Sequence, residues 1–335
     1  MTTIYDLAKK TGISKSTISR VVSGNGYVSE TKRKIILDAM HEMNYIPNQV
    51  AKNLRKKRTN TIGFLTKEYF PLVGEFLNSF TKIAAKHGYS VNVYFTQTAD
   101  KELKTLRLLT THALDAVFIL TRINSWDTIS SYAKFGPIST WHRVNRPNIY
   151  SNFIDHYPIY YHVIDHLYKN GHKNIGHVLS SLRNANTRAR IRAIDDFNTS
   201  HPDSNQDFRL FYHTQTGTGE DAAKKWLATK NRPSSVMFYA DFVAAEFIST
   251  LRKNGKKVPD DCLVVGSDNS EIAHMMNMPT IDLCFRNQAH NAFIYLYNEL
   301  NPDRLPYENQ NPHWSMLINF SKFTLDLGPI PHRNI

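Results

Sequence analysis

From Thr61 onward, short β-rich runs alternate with amphipathic stretches, and this rhythm leaves the chain few ways to fold. Ile62-Gly63-Phe64-Leu65 reads as a strand, and the stretch from about Val73 to His87 as a helix stopped by Gly88. Tyr89 to Phe95 is a strand again, with Val91, Val93 and Phe95 at alternate positions. A helix around 101–111 precedes the strand Ala116 to Leu120, and another near 128–134 precedes Pro137 to Trp141. The alternation resumes after about 160 with a helix to Asn170, a stop at Gly171 and a strand from Ile175 to Leu179. Repeated units of this kind predict an α/β protein with parallel sheets and helices on both faces. In a chain of 335 residues the body is too long for one core and divides better into two lobes. Ligands of such folds bind at the carboxyl ends of strands, where loops converge.

The first 58 residues are different. They hold twelve of the 41 Lys and Arg residues but only four of the 29 acids, and the whole chain carries a formal charge of +12. A basic head on a nearly balanced body reads as a polyanion-binding module. Thr3 is placed to cap a helix with Asp6 as the reciprocal partner, and Ile4, Leu7 and Ala8 share one face. Gly12 ends that helix. Ser14 caps a second one, from Lys15 to about Val22, with Ile18, Val21 and Val22 inward and Lys15, Ser16, Ser19 and Arg20 outward. Ser29 caps a third, whose buried stripe is Ile36, Ala39, Met40 and Met43. Three short helices, the first two joined by a tight glycine turn, describe a helix-turn-helix unit. A helix fits the major groove, where Arg20 can bond guanine bidentately and Lys15 and Ser16 enter first. Ser14 and Ser29 are suited to hold phosphates.

Beyond Pro47, Asn48 can cap a short helix over about 48–57. Its Val50, Ala51 and Leu54 form an apolar edge flanked by cations, Arg55 among them. So small an apolar surface is too little for an isolated helix. It suits a wedge in a minor groove, with Leu54 parting a base step.

The runs Thr3 to Ala8, Gly12 to Val22, Tyr45-Ile46-Pro47-Asn48 and Thr59 to Gly63 together closely resemble the lactose/galactose-repressor (LacI/GalR) family. Lys169 to Ile175, Val258-Pro259-Asp260-Asp261 and Val264 to Asp268 extend the resemblance along the body, to the family's periplasmic-binding-protein-like domain. The resemblance implies that Lys15, Ser16 and Arg20 read bases and that Leu54 intercalates from each of two hinge helices. It implies a head over 1–58, including the hinge helix, and an effector-binding and dimerisation domain over 59–335. Lobe 1 is then expected at about 60–158 and 288–322, and lobe 2 at about 159–287. Phe70, Arg190, Asp241 and Asp268 fall where relatives contact the effector. Arg190 and Asp268 suit vicinal hydroxyls, since each makes paired bonds, and Phe70 offers a stacking face. The chain departs from the pattern at Ala240, Ala193 and Thr214. These changes bear on which ligand is bound, not on whether there is a cleft.

The expectation is therefore a DNA-binding transcriptional regulator, a repressor, controlled by a sugar or sugar derivative. Its partners are a pseudo-palindromic double-stranded operator and a second copy of the chain, since the tail after Leu327 holds no heptads for a larger assembly. No cofactor or metal is expected. His162 and His166 stand at i, i+4, but the residue after His162 is Val163, not the glutamate of the metalloprotease motif. Gly217-Thr218-Gly219 lacks the rest of a phosphate loop. Cys262 and Cys284 cannot build a disulfide framework, no apolar run suits a membrane, and the amino end lacks a leader pattern, so the cytoplasm is the default. The alternatives are an enzyme with a regulatory DNA-binding head, and an architectural DNA binder without a ligand.

Overall fold

The computed structural model describes residues 2–24, 26–46, 58–212 and 217–308. The chain divides into two compact units, Met1–Thr59 and Asn60–Ile335.

The first unit holds α1 (Ile4–Thr11), α2 (Lys15–Ser23) and α3 (Glu30–Glu42). Thr3 and Asp6 close the capping box, with the Thr3 N–H donating to Asp6 Oδ2 at 2.8 Å and the Asp6 N–H to Thr3 Oγ1 at 3.4 Å. Gly12 takes φ 68°, a left-handed conformation that a side chain would disfavour, and turns the chain into α2. Ser14 accepts from the Thr17 N–H at 3.3 Å and caps α2. Ser29 stands at the N-cap of α3, but its hydroxyl makes no cap bond. Leu7, Ile18, Val21, Val28, Ile36 and Ala39 close over one another as the core. The Thr2 hydroxyl donates to the Met43 carbonyl at 3.0 Å and ties the amino end to the close of α3.

The second unit contains two five-stranded sheets, parallel throughout. The first takes β1 (Thr61–Thr66), β2 (Ser90–Phe95), β3 (Ala116–Ile119), β4 (Ile138–Thr140) and β5 (Ile149–Ser151), in the order β2-β1-β3-β4-β5. The helices between them are α4 (Pro71–Lys86), α5 (Ala99–Thr110) and the short α6 (Trp126–Ser130). The chain then enters α7 (His156–Lys169) and builds the second sheet from β6 (Ile175–Leu179), β7 (Arg209–Phe211), β8 (Ser235–Phe238), β9 (Leu263–Ser267) and β10 (Thr280–Ile281). Its order is β10-β9-β8-β6-β7. Between these strands lie α8 (Ala185–Ser200), α9 (Thr218–Ala228), α10 (Asp241–Lys253) and α11 (Glu271–Met276).

The last described helix, α12 (Phe285–Leu300), returns to the first sheet and packs on α4. Phe293 sets its ring edge-on to Phe80, centroids 5.9 Å apart, within an aromatic cluster that includes Phe64, Phe76 and Phe118. α7 packs on α8, beside the second sheet. Positions 158 and 287 lie within α7 and α12. Phe95 closes β2 half-exposed, so the alternation read there stops one residue short of the core. Among the described residues no helix is long and apolar enough to cross a membrane.

The first turn of α9 rests directly on α10. A Cβ on Gly219 would collide with the Val243 carbonyl oxygen and lie 2.7 Å from the Phe247 nitrogen, both backbone atoms that cannot swing aside. Gly219→Ala is therefore expected to cost about 1–3 kcal/mol, seen as a lower denaturant midpoint at unchanged slope. Gly74→Ala on α4, which meets nothing nearer than Tyr69 Oη at 3.5 Å, is expected to be neutral or stabilising in the same assay.

Candidate functional site

Two sets of polar side chains stand out, one in each unit. In the first, the buried Ile18 and Val21 fix the rotation of α2 and leave Lys15, Ser16 and Arg20 exposed on its other side. The Lys15 ammonium sits 3.7 Å from the centroid of the Tyr5 ring, a cation–π contact that aims the side chain along α1. Arg20 lies along Gly26, whose added Cβ would meet its Cδ at 3.4 Å. Ser19 is half-buried, and the Ser14 hydroxyl is shared with Ser16 at 3.0 Å and Thr17 at 2.9 Å as part of the cap. Val50, Ala51, Leu54 and Arg55 lie outside the described residues, as does Thr214.

In the second unit a cavity of about 210 Å³ opens where strands of both sheets end. Lys67 and Glu68 follow β1, Thr121 follows β3, and Trp141 and His142 follow β4. Ser180 follows β6, Tyr239 and Ala240 follow β8, and Asp268 follows β9. All are carboxyl ends of parallel strands, where the first turns of helices and the loops converge.

One wall is aromatic. Phe70, at the N-cap of α4, lines the cavity with Trp141, Phe242 and Phe285. The Trp141 indole donates to the Leu120 carbonyl at 2.6 Å and packs edge-on to Phe285 at 5.7 Å, so its plane is fixed. His142 Nε2 also reaches the Leu120 carbonyl, at 2.8 Å, and burial pushes its imidazole down to about 4.

The opposite wall is polar. Arg190 on α8 is buried, and its Nε–H donates to His156 Nδ1 at 3.2 Å. That bond requires an unprotonated Nδ1, and burial together with the adjacent guanidinium holds the imidazole well below its ordinary range. Behind the guanidinium lies the Tyr160 ring, 5.5 Å away. The Tyr160 hydroxyl pairs with His177 Nδ1 at 3.0 Å, and His177 Nε2 with Gln206 Oε1 at 2.8 Å. Burial pushes His177 down to about 3. A buried polar chain therefore runs from the second sheet to the cavity.

Asp268 takes φ 127°, a conformation rare outside glycine, of the kind that gathers at ligand sites. Burial and the nearby Asp241 push its carboxyl up, while Arg190 works the other way. Phe70, Arg190 and Asp268 thus meet at one cavity. Asp241 is not among the residues that line the cavity. As first residue of α10 it turns inward, accepting from the Ser270 N–H and hydroxyl, each at 2.9 Å, and from the Thr280 hydroxyl at 2.6 Å. These bonds tie it to the loop after Asp268. His156, Trp141, His142 and Thr187 line the cavity without having been singled out in the sequence. Only Trp141, at a strand's carboxyl end, carried a usable signal. Among the described residues no group of three or more His, Cys, Asp or Glu is arranged to hold a metal ion.

The chain matches the family described as "Bacterial regulatory proteins, lacI family" over residues 3–48 and the "Periplasmic binding protein-like domain" over 164–310. It is 33% identical to the NTD biosynthesis operon regulator NtdR of Bacillus subtilis, covering 84% of this chain and 86% of the relative. It is 26% identical to the HTH-type transcriptional repressor PurR of Aliivibrio salmonicida, covering 83% and 86%. A solved structure of the lac repressor dimer, bound to operator and the anti-inducer ONPF, superposes with a TM-score of 0.79 at 22% identity, covering 89% of this chain and 92% of that one. This last likeness is one of fold.

Glu75, on the α4 face toward Asp241, Glu271 and Asp282, gives the region a pH signature. Burial, then those three like charges, push its carboxyl up from 4.5 to about 7. The folded chain therefore keeps a proton that the unfolded chain releases earlier, and stability falls as pH rises from 4.5 to about 7. Glu75→Gln is expected to melt above the wild type at about pH 8, with the two melting curves converging once the pH drops below 4.5.

Proposed function

The chain belongs to the LacI family of bacterial regulatory proteins, and from that premise we propose a repressor whose hold on a pseudo-palindromic operator is set by a sugar or sugar derivative in the cleft. That it is a transcriptional regulator with a DNA-binding head follows from the family. The observation that carries the rest is the union, in one chain, of an outward polar helix face and a cavity walled by an aromatic side and a fork-shaped donor.

On this reading Lys15, Ser16 and Arg20 meet base edges in the major groove, with Ser19 beside them and Ser14 and Ser29 near phosphates. Val50, Ala51, Leu54 and Arg55 supply the minor-groove hinge. In the cleft, Arg190 and Asp268 bracket hydroxyls and Phe70 with Trp141 covers an apolar sugar face. Both lining histidines are engaged in hydrogen bonds and disfavour protonation. Control requires a ligand that favours one arrangement of the lobes over another. In a dimer that change would alter the spacing of the two hinge segments.

Footprinting on fragments of the source genome is expected to show one protected, two-fold site whose affinity changes with an effector that is not consumed. No protection at low ionic strength, with or without sugars, would overturn the proposal. Arg20→Ala should lose about 1–3 kcal/mol of discrimination at one base pair. Lys57→Ala should instead weaken all sequences alike and reduce the salt slope by about 1. Leu54→Ala should lose operator affinity while effector affinity, read by calorimetry, stays as it was.

A further inference from the structure

We infer that the cleft holds an oxyanion group of its ligand, a phosphate or carboxylate, at the first turn of α8 between Thr187 and Arg190. This rests on the cleft being the effector site and goes further by fixing the charge of what enters it.

Arg190 is 5% exposed, and among the described residues its only hydrogen-bond partner is the neutral His156. No carboxylate among those residues is within ion-pairing distance of it. A guanidinium this buried with no carboxylate at ion-pairing distance is costly, and natural sites complete the pair from the protein or the ligand. Its Nε is taken from behind by His156, and the Tyr160 ring lies against its plane. Among the described residues its two terminal nitrogens make no hydrogen bond, and the residue lines the cavity; such an edge matches two oxygens of one group.

Thr187 stands one turn earlier on the same face of α8. It lines the cavity, is 1% exposed, and among the described residues its Oγ1 has no hydrogen-bond partner. An orphaned buried hydroxyl costs about 1–3 kcal/mol unless something occupies it. Both residues sit at the amino end of a 16-residue helix, whose first backbone N–H groups and dipole favour negative charge. Asn184 uses its side chain on the Asn186 N–H, so the cap leaves the rest of the turn available. Lys67 across the cavity is exposed and already beside Glu68 at 3.6 Å. Asp268 is the one acid facing this corner, and a carboxyl held toward its protonated form can donate to an oxyanion instead of repelling it. A neutral polyol would satisfy Thr187 but leave Arg190 without a counter-ion.

The test uses the full-length protein in thermal-shift and calorimetric titrations with inorganic phosphate against sodium chloride at matched ionic strength, and with glucose 6-phosphate against glucose. Phosphate at about 20 mM should raise the melting temperature beyond the chloride control, and the sugar phosphate should stabilise more than the sugar. Thr187→Val, which deletes the orphaned hydroxyl at constant shape, should weaken phosphate binding about tenfold while the unliganded melting temperature holds or rises. Arg190→Lys should weaken it at least as much. If neutral sugars stabilise the protein and phosphate behaves like chloride, the anion subsite is overturned and the effector cleft stands. If neither sugars nor phosphates act, both fall. A phosphate effect of equal size in both variants places the ion on the basic head and also overturns the inference.

Discussion

A guanidinium drawn out of water survives only if everything around it is arranged for it, and Arg190 organises the second unit in that sense. His156 takes its Nε–H and must stay neutral to do so. Tyr160 lies against its plane and is itself pinned by His177, which Gln206 holds in a single tautomer. These groups come from α7, α8, β6 and the segment before β7, so the core behind the cleft is specified by hydrogen bonds as well as by apolar packing. Such a network is favourable only while each member is satisfied. The cleft therefore inherits a rigid back wall. Its opposite wall is rigid for a different reason: Trp141 is held by one hydrogen bond and a set of edge-on aromatic contacts.

Much of this was legible in the sequence where the cause is local. The capping box at Thr3 and Asp6, the turn at Gly12 and the cap at Ser14 are each decided within four residues, and the structure has all three. The strands and helices of the body follow from period and stop signals, so the α/β alternation was readable from Thr61 to Leu179. The meeting of Phe70, Arg190 and Asp268 came from family resemblance, because nothing in spacing brings together residues from three distant segments. The direction Asp241 faces could not be read from the sequence, because a carboxylate at a strand-to-helix turn can face either way. Ser270 and Thr280, far along the chain, decide the direction. His156 was invisible for a similar reason. At the start of α7 it looks like any exposed helix end until α8 packs on it.

The head and the body make different use of charge. On α2 the cations are exposed, one of them leaning on Tyr5, and they suit a polyanion that arrives from solvent with its own counter-ions to shed. Around the cleft, a few charged groups are drawn out of water: Arg190 near Asp268, Asp241 among three donors, Glu75 facing three other acids. Specific recognition of a small molecule needs the second kind, because only desolvated groups discriminate strongly between ligands that differ by one polar atom.

The return of α12 to the first sheet has a consequence for how the protein is made. The ribosome completes β1 to β5 early, yet the ring of Phe80, packed with Phe64 and Phe118, closes against Phe293, which is translated only after the whole second sheet. The first sheet must therefore wait, incompletely covered, while the second one is synthesised, an interval of many seconds at ordinary elongation rates of about 5–20 residues per second. The nascent chain exposes an aromatic surface throughout that interval, and the second lobe, continuous in sequence from α7 to β10, is the part able to finish first.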